Sequence, residues 1–167
     1  GSTLSFSAEA YAQVRGFPRK EAGEDFYFLH KVAKTAFVWQ GGGEVSLVCR
    51  PSNRVPFGTG QSIAKIQALS ENGEPYTVYS ASVFGQLASW FQAIDRLAEG
   101  QAWQEATAGL GDELRVGLVQ MGAAEEHPRI QASRKTAEDR LRHWHTWFDG
   151  FRTLKLIHYL RDHGFPN

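Results

Sequence analysis

The sequence predicts an α/β protein that is mostly α, with its few strands confined largely to the first half of the chain. Two β-rich runs, 37–40 and 44–49, are separated by three glycines, a composition that favours a hairpin or two successive edge strands. In the second half, apolar residues recur at steps of three and four, which indicates helices. A polar, turn-rich segment, 70–75, lies between these patterns, so we expect two domains, 1–70 and 71–167.

The first half contains two predicted helices. Residues 3–7 alternate as a short strand would, and Ser7 is placed to cap a helix over 8–14, which Gly16 ends. A second helix is expected over 24–34, because its apolar residues share one broad face.

Almost all of the second half is predicted to be helical, after one further strand at 76–79. The segment 112–123 has a weaker apolar pattern, and it should break at 125–128, where a proline ends the run. The last segment is long enough for one helix, or for two that break at Gly150. The helical segments are 81–99, 112–123 and 133–163. In the segment 81–99, the helix face that we expect in the core consists of Val83, Leu87, Trp90, Phe91, Ile94 and Leu97.

Composition and charge exclude several classes of function. Eighteen Lys+Arg balance eighteen Asp+Glu in 167 residues, so no global field would draw the chain to nucleic acid or to an anionic membrane. The single cysteine, Cys49, excludes an internal disulfide and a cysteine-based metal cluster, and it fits a reducing compartment. No apolar run approaches the ~20 residues of a membrane span, and we expect no leader. A cytoplasmic location is therefore predicted.

Two adjacent carboxylates, Glu24 and Asp25, lie at the start of the second predicted helix. Successive helical residues rotate by about 100°, so Asp25 falls in the apolar arc with Phe28, whereas Glu24 projects toward the polar side with Lys31. Backbone N–H groups and the helix dipole allow a half-buried carboxylate there to stay ionised. Such a group suits a general base, although acidic residues are also common in first turns merely because they suit the dipole.

The stretch 15–31 carries the most informative motif. A Gly16-Phe17 turn leads through a short loop into Gly23-Glu-Asp-Phe26 and a helix that closes in Lys. Over residues 3–60 this arrangement resembles family 2 glycosyltransferases of the GT-A fold. The resemblance implies a partial GT-A-like sheet, in which 1–70 is the acceptor-side half of a catalytic domain, followed by a helical C-terminal subdomain.

The same resemblance implies transfer of a sugar from a nucleotide-sugar donor to a hydroxyl acceptor, with inversion if Asp25 acts as a direct base. In that family the Asp of the motif is the base that deprotonates the acceptor, which by position is Asp25, and Glu24 would be a supporting residue. A divalent ion, Mn or Mg, is expected in the full-length enzyme to neutralise the leaving diphosphate. His30 is a candidate ligand for that ion, although a helix-surface histidine is the commoner case.

A second candidate site is the segment that ends at Gly60. Arg50 and Arg54 could bind phosphate through bidentate guanidinium contacts. The turn Gly58-Thr59-Gly60 precedes a predicted helix, whose free N–H groups would add to an anion site. In the glycosyltransferases that this chain resembles, the corresponding loop often folds over the sugar-nucleotide. A plain turn with an N-cap and surface arginines fits the pattern equally well.

The resemblance further implies that this chain is a fragment that transfers nothing alone. The family's nucleotide-binding half precedes the Glu-Asp motif, whereas here only 23 residues do, and the sequence holds no Asp-X-Asp. We therefore expect this chain to bind neither nucleotide nor metal without the missing N-terminal half. A sheet cut in this way would expose a strand edge, so a homodimer through 3–7 or 44–49 is expected.

An alternative hypothesis is a non-catalytic helical interaction or dimerisation module. An apolar stripe on the last segment would then be a dimer or partner face, formed by Ala137, Leu141, Trp144, Phe148, Phe151 and Leu154. Basic residues interleave with this stripe, but such stripes are more often packed inside a domain, so binding to a membrane surface is not expected. On the same segment, His158 and Asp162 lie four residues apart and could touch.

Overall fold

The structure is a computed structural model that describes residues 3–20, 23–46 and 59–166. The chain divides into two compact units, Gly1–Tyr76 (unit 1) and Thr77–Asn167 (unit 2). Within the described residues, the helices are α1 Ala8–Gln13, α2 Glu24–Val32, α3 Thr59–Glu71, α4 Ala81–Ala98, α5 Trp103–Thr107, α6 Asp112–Gln120, α7 Ala123–Ser133, α8 Ala137–Trp147 and α9 Gly150–Asp162. The sequence-defined domains, 1–70 and 71–167, stay a prediction.

The predicted partial GT-A-like sheet is wrong, because the described part of the chain is helical and contains no strand. Residues 3–7, 37–40 and 76–79 have no strand structure, and neither do 44–46, while 47–49 lie outside the described residues. β-propensity expresses how a side chain fits a pleated surface between neighbours, and a strand needs a partner for its backbone groups. The predicted homodimer through 3–7 or 44–49 stays a prediction, since the described residues include no strand edge through which it could form.

Unit 1 begins with two helices whose ends follow from local sequence. The Ser7 hydroxyl accepts a hydrogen bond from the Ala10 N–H at 3.1 Å, which confirms the predicted cap of α1. Arg15 and Gly16 both have positive φ, 60° and 69°, and they end the helical turn as predicted for Gly16. Helix α2 confirms the second predicted helix, although it ends two residues earlier, at Val32.

Unit 2 is organised around α4, which confirms the predicted helix over 81–99 to within one residue. The Ser80 hydroxyl accepts from the Ser82 N–H, and Gly100, with φ of 99°, follows the end of the helix. Phe91 departs from the expected core face, because its side chain remains 37% exposed. The other five residues of the predicted core face are buried, namely Val83, Leu87, Trp90, Ile94 and Leu97.

The other helices of unit 2 surround α4. Helices α5, α8 and α9 pack on it, and α6 packs on α7 and α9. The break predicted at 125–128 is wrong, because α7 begins at Ala123 and continues through Pro128. The physical reason is Gly122, whose φ of 84° ends α6 earlier. Pro128 then costs α7 one backbone hydrogen bond without ending the helix.

The last segment forms two helices, which confirms the alternative of a break at Gly150. The Asp149 carboxylate accepts hydrogen bonds from the N–H groups of Phe151 and Arg152, each at 3.2 Å, and so caps α9. Trp144 and Phe148 are buried in the core of unit 2. The centre of the predicted partner stripe is therefore covered within the chain itself.

Gly117 allows α6 to approach α9, and we predict opposite effects of alanine at two helical glycines. A Cβ at Gly117 would lie 2.6 Å from the Tyr159 ring, whereas a Cβ at Gly85 in α4 meets no atom within 4 Å. Gly117→Ala should lower the free energy of unfolding by about 1 kcal/mol, because overpacking costs ~1–3 kcal/mol and the gain in helix propensity is smaller. Gly85→Ala should raise it by about 0.5–1 kcal/mol. Urea unfolding of both variants checks this, and stabilisation by both would contradict the close packing.

Candidate functional site

The first turn of α2 holds the two carboxylates that the sequence singled out. Gly23 has a φ of 73°, in the left-handed region, and directly precedes the helix, so Glu24 and Asp25 are its first two residues. Glu24 is exposed and Asp25 is half-buried. The Phe26 N–H donates to Asp25 Oδ1 at 2.8 Å. This hydrogen bond orients the Asp25 carboxylate and favours its ionised form.

An aromatic cluster packs beside this turn and links it to the Gly16-Phe17 turn. Phe28 lies three residues after Asp25, which places the two side chains within about 60° of each other around the helix axis. The Phe28 side chain is only 1% exposed. Its ring stacks on Phe17 at a centroid distance of 4.3 Å and contacts Phe6 at 4.8 Å. The structure thus brings together the two halves of the motif, the Gly-Phe turn and the Glu-Asp helix.

His30 does not share the Asp25 face. It is five residues further along α2, a rotation of about 140°, and its half-buried ring stacks on Phe26 at 6.3 Å. Within residues 3–20, 23–46 and 59–166, no group of three or more His, Cys, Asp or Glu side chains could hold a metal ion. The Mn or Mg ion expected in the full-length enzyme stays a prediction.

The predicted phosphate-binding segment lies mostly outside the described residues. This is true of Arg50, Arg54 and Gly58. Thr59 and Gly60 are the first two residues of α3, so the helix includes Thr59, which was expected to precede it as a cap. The clamp itself stays a prediction.

Unit 2 contains a polar pair that the sequence did not indicate. The Tyr79 hydroxyl lies 2.8 Å from His158 Nε2, so His158 contacts the start of unit 2. Asp162 instead forms an ion pair with Arg161, whose Nε lies 2.7 Å from Asp162 Oδ1. That hydrogen bond lowers the pKa of Asp162. Tyr79 lies 79 residues from His158, so helical spacing alone could not have revealed the pair.

A groove of about 530 Å³ lies where the end of α4 meets the start of α8. Three carboxylates, Asp95, Glu99 and Glu138, contribute to its lining together with the apolar side chain of Leu141. Because these residues come from two distant parts of the chain, no local motif marks the groove in the sequence.

A second polar cluster connects α7 to the end of α4. The Gln131 amide nitrogen donates to the Leu97 carbonyl at 2.7 Å and lies 3.3 Å from His127 Nε2. Nearby, His143 Nε2 lies 3.2 Å from Glu126 Oε1. The signal that the sequence offered was a histidine four residues before a glutamine, a spacing at which helical side chains meet.

The helices of the described residues include none that is long and apolar enough to cross a membrane. Comparison of this chain with protein-family models, with curated proteins and with solved structures found no match.

Proposed function

We propose that this chain is the acceptor-side part of a nucleotide-sugar-dependent glycosyltransferase, with Asp25 as the general base and Glu24 as a supporting residue. The observation that carries the proposal is the local setting of Asp25. Asp25 is partly exposed, its carboxylate accepts a hydrogen bond from the Phe26 N–H, and Phe28 of the same helix stacks on Phe17. An ionised carboxylate that is oriented by a hydrogen bond and reachable from solvent is suited to accepting a proton from a bound hydroxyl. The sugar-nucleotide donor in this proposal rests on the resemblance of residues 15–31 to the family motif, whereas the setting of Asp25 supports the general-base role.

The proposed reaction is a single displacement. The Asp25 carboxylate takes the proton of the acceptor hydroxyl while the acceptor oxygen forms a bond to the anomeric carbon of the donor sugar. The bond from that carbon to the diphosphate oxygen breaks on the opposite face, and the nucleoside diphosphate leaves with the bonding electron pair. Configuration at the anomeric carbon is thereby inverted. A divalent ion, where bound, supplies charge neutralisation at the diphosphate.

The interaction-module alternative has less support from unit 2. Its proposed face requires a continuous exposed apolar stripe, but Trp144 and Phe148 are buried. Phe151 and Leu154 remain partly exposed on α9, at 38% and 42%. Two partly exposed side chains are ordinary for a protein surface and do not indicate a partner.

The test is acceptor-dependent release of nucleoside diphosphate by the intact protein that carries this sequence. A panel of nucleotide-sugars and glycosidic or lipid hydroxyl acceptors would be supplied with Mn or Mg. The proposal expects at least one donor and acceptor pair to release nucleoside diphosphate faster than donor alone. Failure of every pair in a folded protein would contradict the proposal, whereas saturable donor binding by the isolated chain would contradict only its fragment character.

The predicted phosphate contact has its own test. Arg54→Ala should weaken binding of the nucleotide-sugar donor by about tenfold or more, because a charge-assisted hydrogen bond to phosphate contributes ~1.5–3 kcal/mol. Calorimetry on the intact protein measures the donor and acceptor affinities separately. Arg129→Ala is the matched control, since Arg129 in α7 is largely exposed and pairs with Glu126. Unchanged donor affinity in the Arg54 variant would rule out the clamp.

A further inference from the structure

The polar cluster at the end of α4 has a defined arrangement of donors and acceptors. The Leu97 carbonyl lies 2.7 Å from the Gln131 amide nitrogen, and only the N–H₂ end of that amide can donate to it. The reversed amide would place two oxygens in contact. The second amide hydrogen is then available to His127 Nε2, at 3.3 Å. His127 Nε2 must therefore accept this hydrogen bond, which requires a neutral imidazole that is unprotonated at Nε2.

The surroundings of His127 also favour the neutral ring. It lies between Trp144 of α8 and Trp103 of α5, each at a centroid distance of 6.4 Å. Burial lowers the pKa of His127 below its ordinary value of 6.5, while a hydrogen bond with the Gln101 backbone acts in the opposite direction. A protonated ring would gain little from the indoles, because cation–π attraction needs separations within about 6 Å.

Two arginines and one glutamate on the surrounding helices have partners other than His127. Arg96 of α4 and Arg140 of α8 donate to backbone carbonyls. Glu126 of α7 contacts His143 of α8, and protonation of His143 would strengthen that contact, an effect of opposite sign to protonation of His127. The other charged residues on the helices around this cluster include Asp95 of α4 and Glu99 directly after it, Glu105 of α5, Asp112, Glu113 and Arg115 of α6, Glu125 and Arg129 of α7, and Glu138, Asp139, Arg142 and His145 of α8.

We propose that His127, Gln131 and the Leu97 carbonyl form a proton-sensitive latch that fastens α7 to the end of α4. Protonation converts His127 Nε2 into a donor that faces the Gln131 N–H₂ group, so that two donors oppose each other. The Gln131 amide must then lose its bond to His127, or rotate and lose its bond to Leu97. Either outcome leaves a partly buried polar group without its partner and weakens the attachment of α7 to α4.

The sign of the pH dependence follows from this arrangement. The neutral ring is the form that the folded protein favours, so the stabilisation by the latch is complete above the ordinary histidine pKa of 6.5. It is lost as the pH falls through the lower pKa of the folded protein. The latch is therefore closed at neutral pH and opens in acid, independently of any transfer reaction.

Amide hydrogen exchange of the whole chain tests the latch. Between pH 7.5 and pH 5, and after correction for intrinsic exchange, exchange in α7 should accelerate about tenfold, equivalent to ~1.4 kcal/mol. His127→Phe keeps an aromatic ring between the two indoles but cannot titrate, so it should abolish the acceleration. His143→Gln is the matched control and should retain it. Equal acceleration in the parent and in His127→Phe would overturn the proposal, as would its loss in His143→Gln alone.

A second measurement needs no variant that might fail to fold. The ¹⁵N chemical shifts of the imidazole in the parent protein report which ring nitrogen carries the proton. At pH 7.5 the latch requires His127 Nε2 to be unprotonated, and the ring should titrate below the ordinary histidine range. A proton on Nε2 at pH 7.5 would overturn the proposal.

Discussion

Replacing Asp25, the proposed general base, with asparagine should lower the turnover of the proposed sugar transfer by about 10²–10⁴-fold, the range typical for removal of such a base. Asparagine has nearly the same shape, and its side-chain oxygen can still accept the hydrogen bond that the Phe26 N–H donates to Asp25. The fold should therefore be preserved while the proton acceptor is lost. The measurement is the rate of nucleoside diphosphate release at saturating donor and acceptor, in the intact protein, with circular dichroism to confirm folding.

Glu24→Gln is the matched control, because Glu24 is the adjacent carboxylate in the same helical turn but is exposed. It should lower turnover far less than Asp25→Asn does. A folded Asp25 variant with the turnover of the parent would exclude Asp25 as the base. A larger loss in the Glu24 variant would assign the base to Glu24 instead.

Trp90→Ala should lower the free energy of unfolding of unit 2 by about 3–5 kcal/mol, the usual cost of truncating a large aromatic side chain in a core. Trp90 is completely buried in α4. Its ring meets Trp144 and Phe148 at 5.7 Å and Trp103 at 6.2 Å, in edge-to-face arrangements. Alanine would remove all three contacts and leave a cavity that the surrounding helices can only partly close. Urea unfolding measures the loss.

Two comparisons separate packing from other effects at this position. Trp90→Phe should cost much less, since a ring remains and the Trp90 indole N–H is buried with no partner among the described residues. Trp39→Ala should change stability by less than about 0.5 kcal/mol, because the Trp39 side chain is 75% exposed. An equal loss from Trp90→Ala and Trp39→Ala would contradict the packing around α4.

The helices were predictable where several local signals coincide. In α4 the apolar period of three to four residues predicted the helix to within one residue, and the structure adds a Ser80 cap and Gly100 at its two ends. In α7 the signals conflict, since Pro128 suggested a break that the helix does not make. The predictions of strands were wrong for a different reason. Phe37 is 88% exposed, so β-rich composition there is not matched by a surface on which the side chain could pack.

The candidate site was predictable only in its local part. The position of Asp25 in the first turn of α2 follows from Gly23 and the apolar period after it. The contact of Phe17 with Phe28 depends on how the loop between them closes, which no periodicity encodes. The pairing of Gln131 with Leu97 is harder still, because 34 residues separate them. Such contacts are decided by helix packing rather than by neighbouring sequence.

The last turn of α4 has two carbonyls that accept hydrogen bonds from side chains much later in the sequence. Gln131 donates to the Leu97 carbonyl across 34 residues, and Arg140 donates to the Ala98 carbonyl across 42. Joining such distant residues costs loop-closure entropy before any contact compensates for it. These bonds should therefore be absent from the folding transition state, and contacts formed after it act mainly on the unfolding rate. We therefore expect the hydrogen bonds at this end of α4 to affect the unfolding rate of unit 2 more than its folding rate.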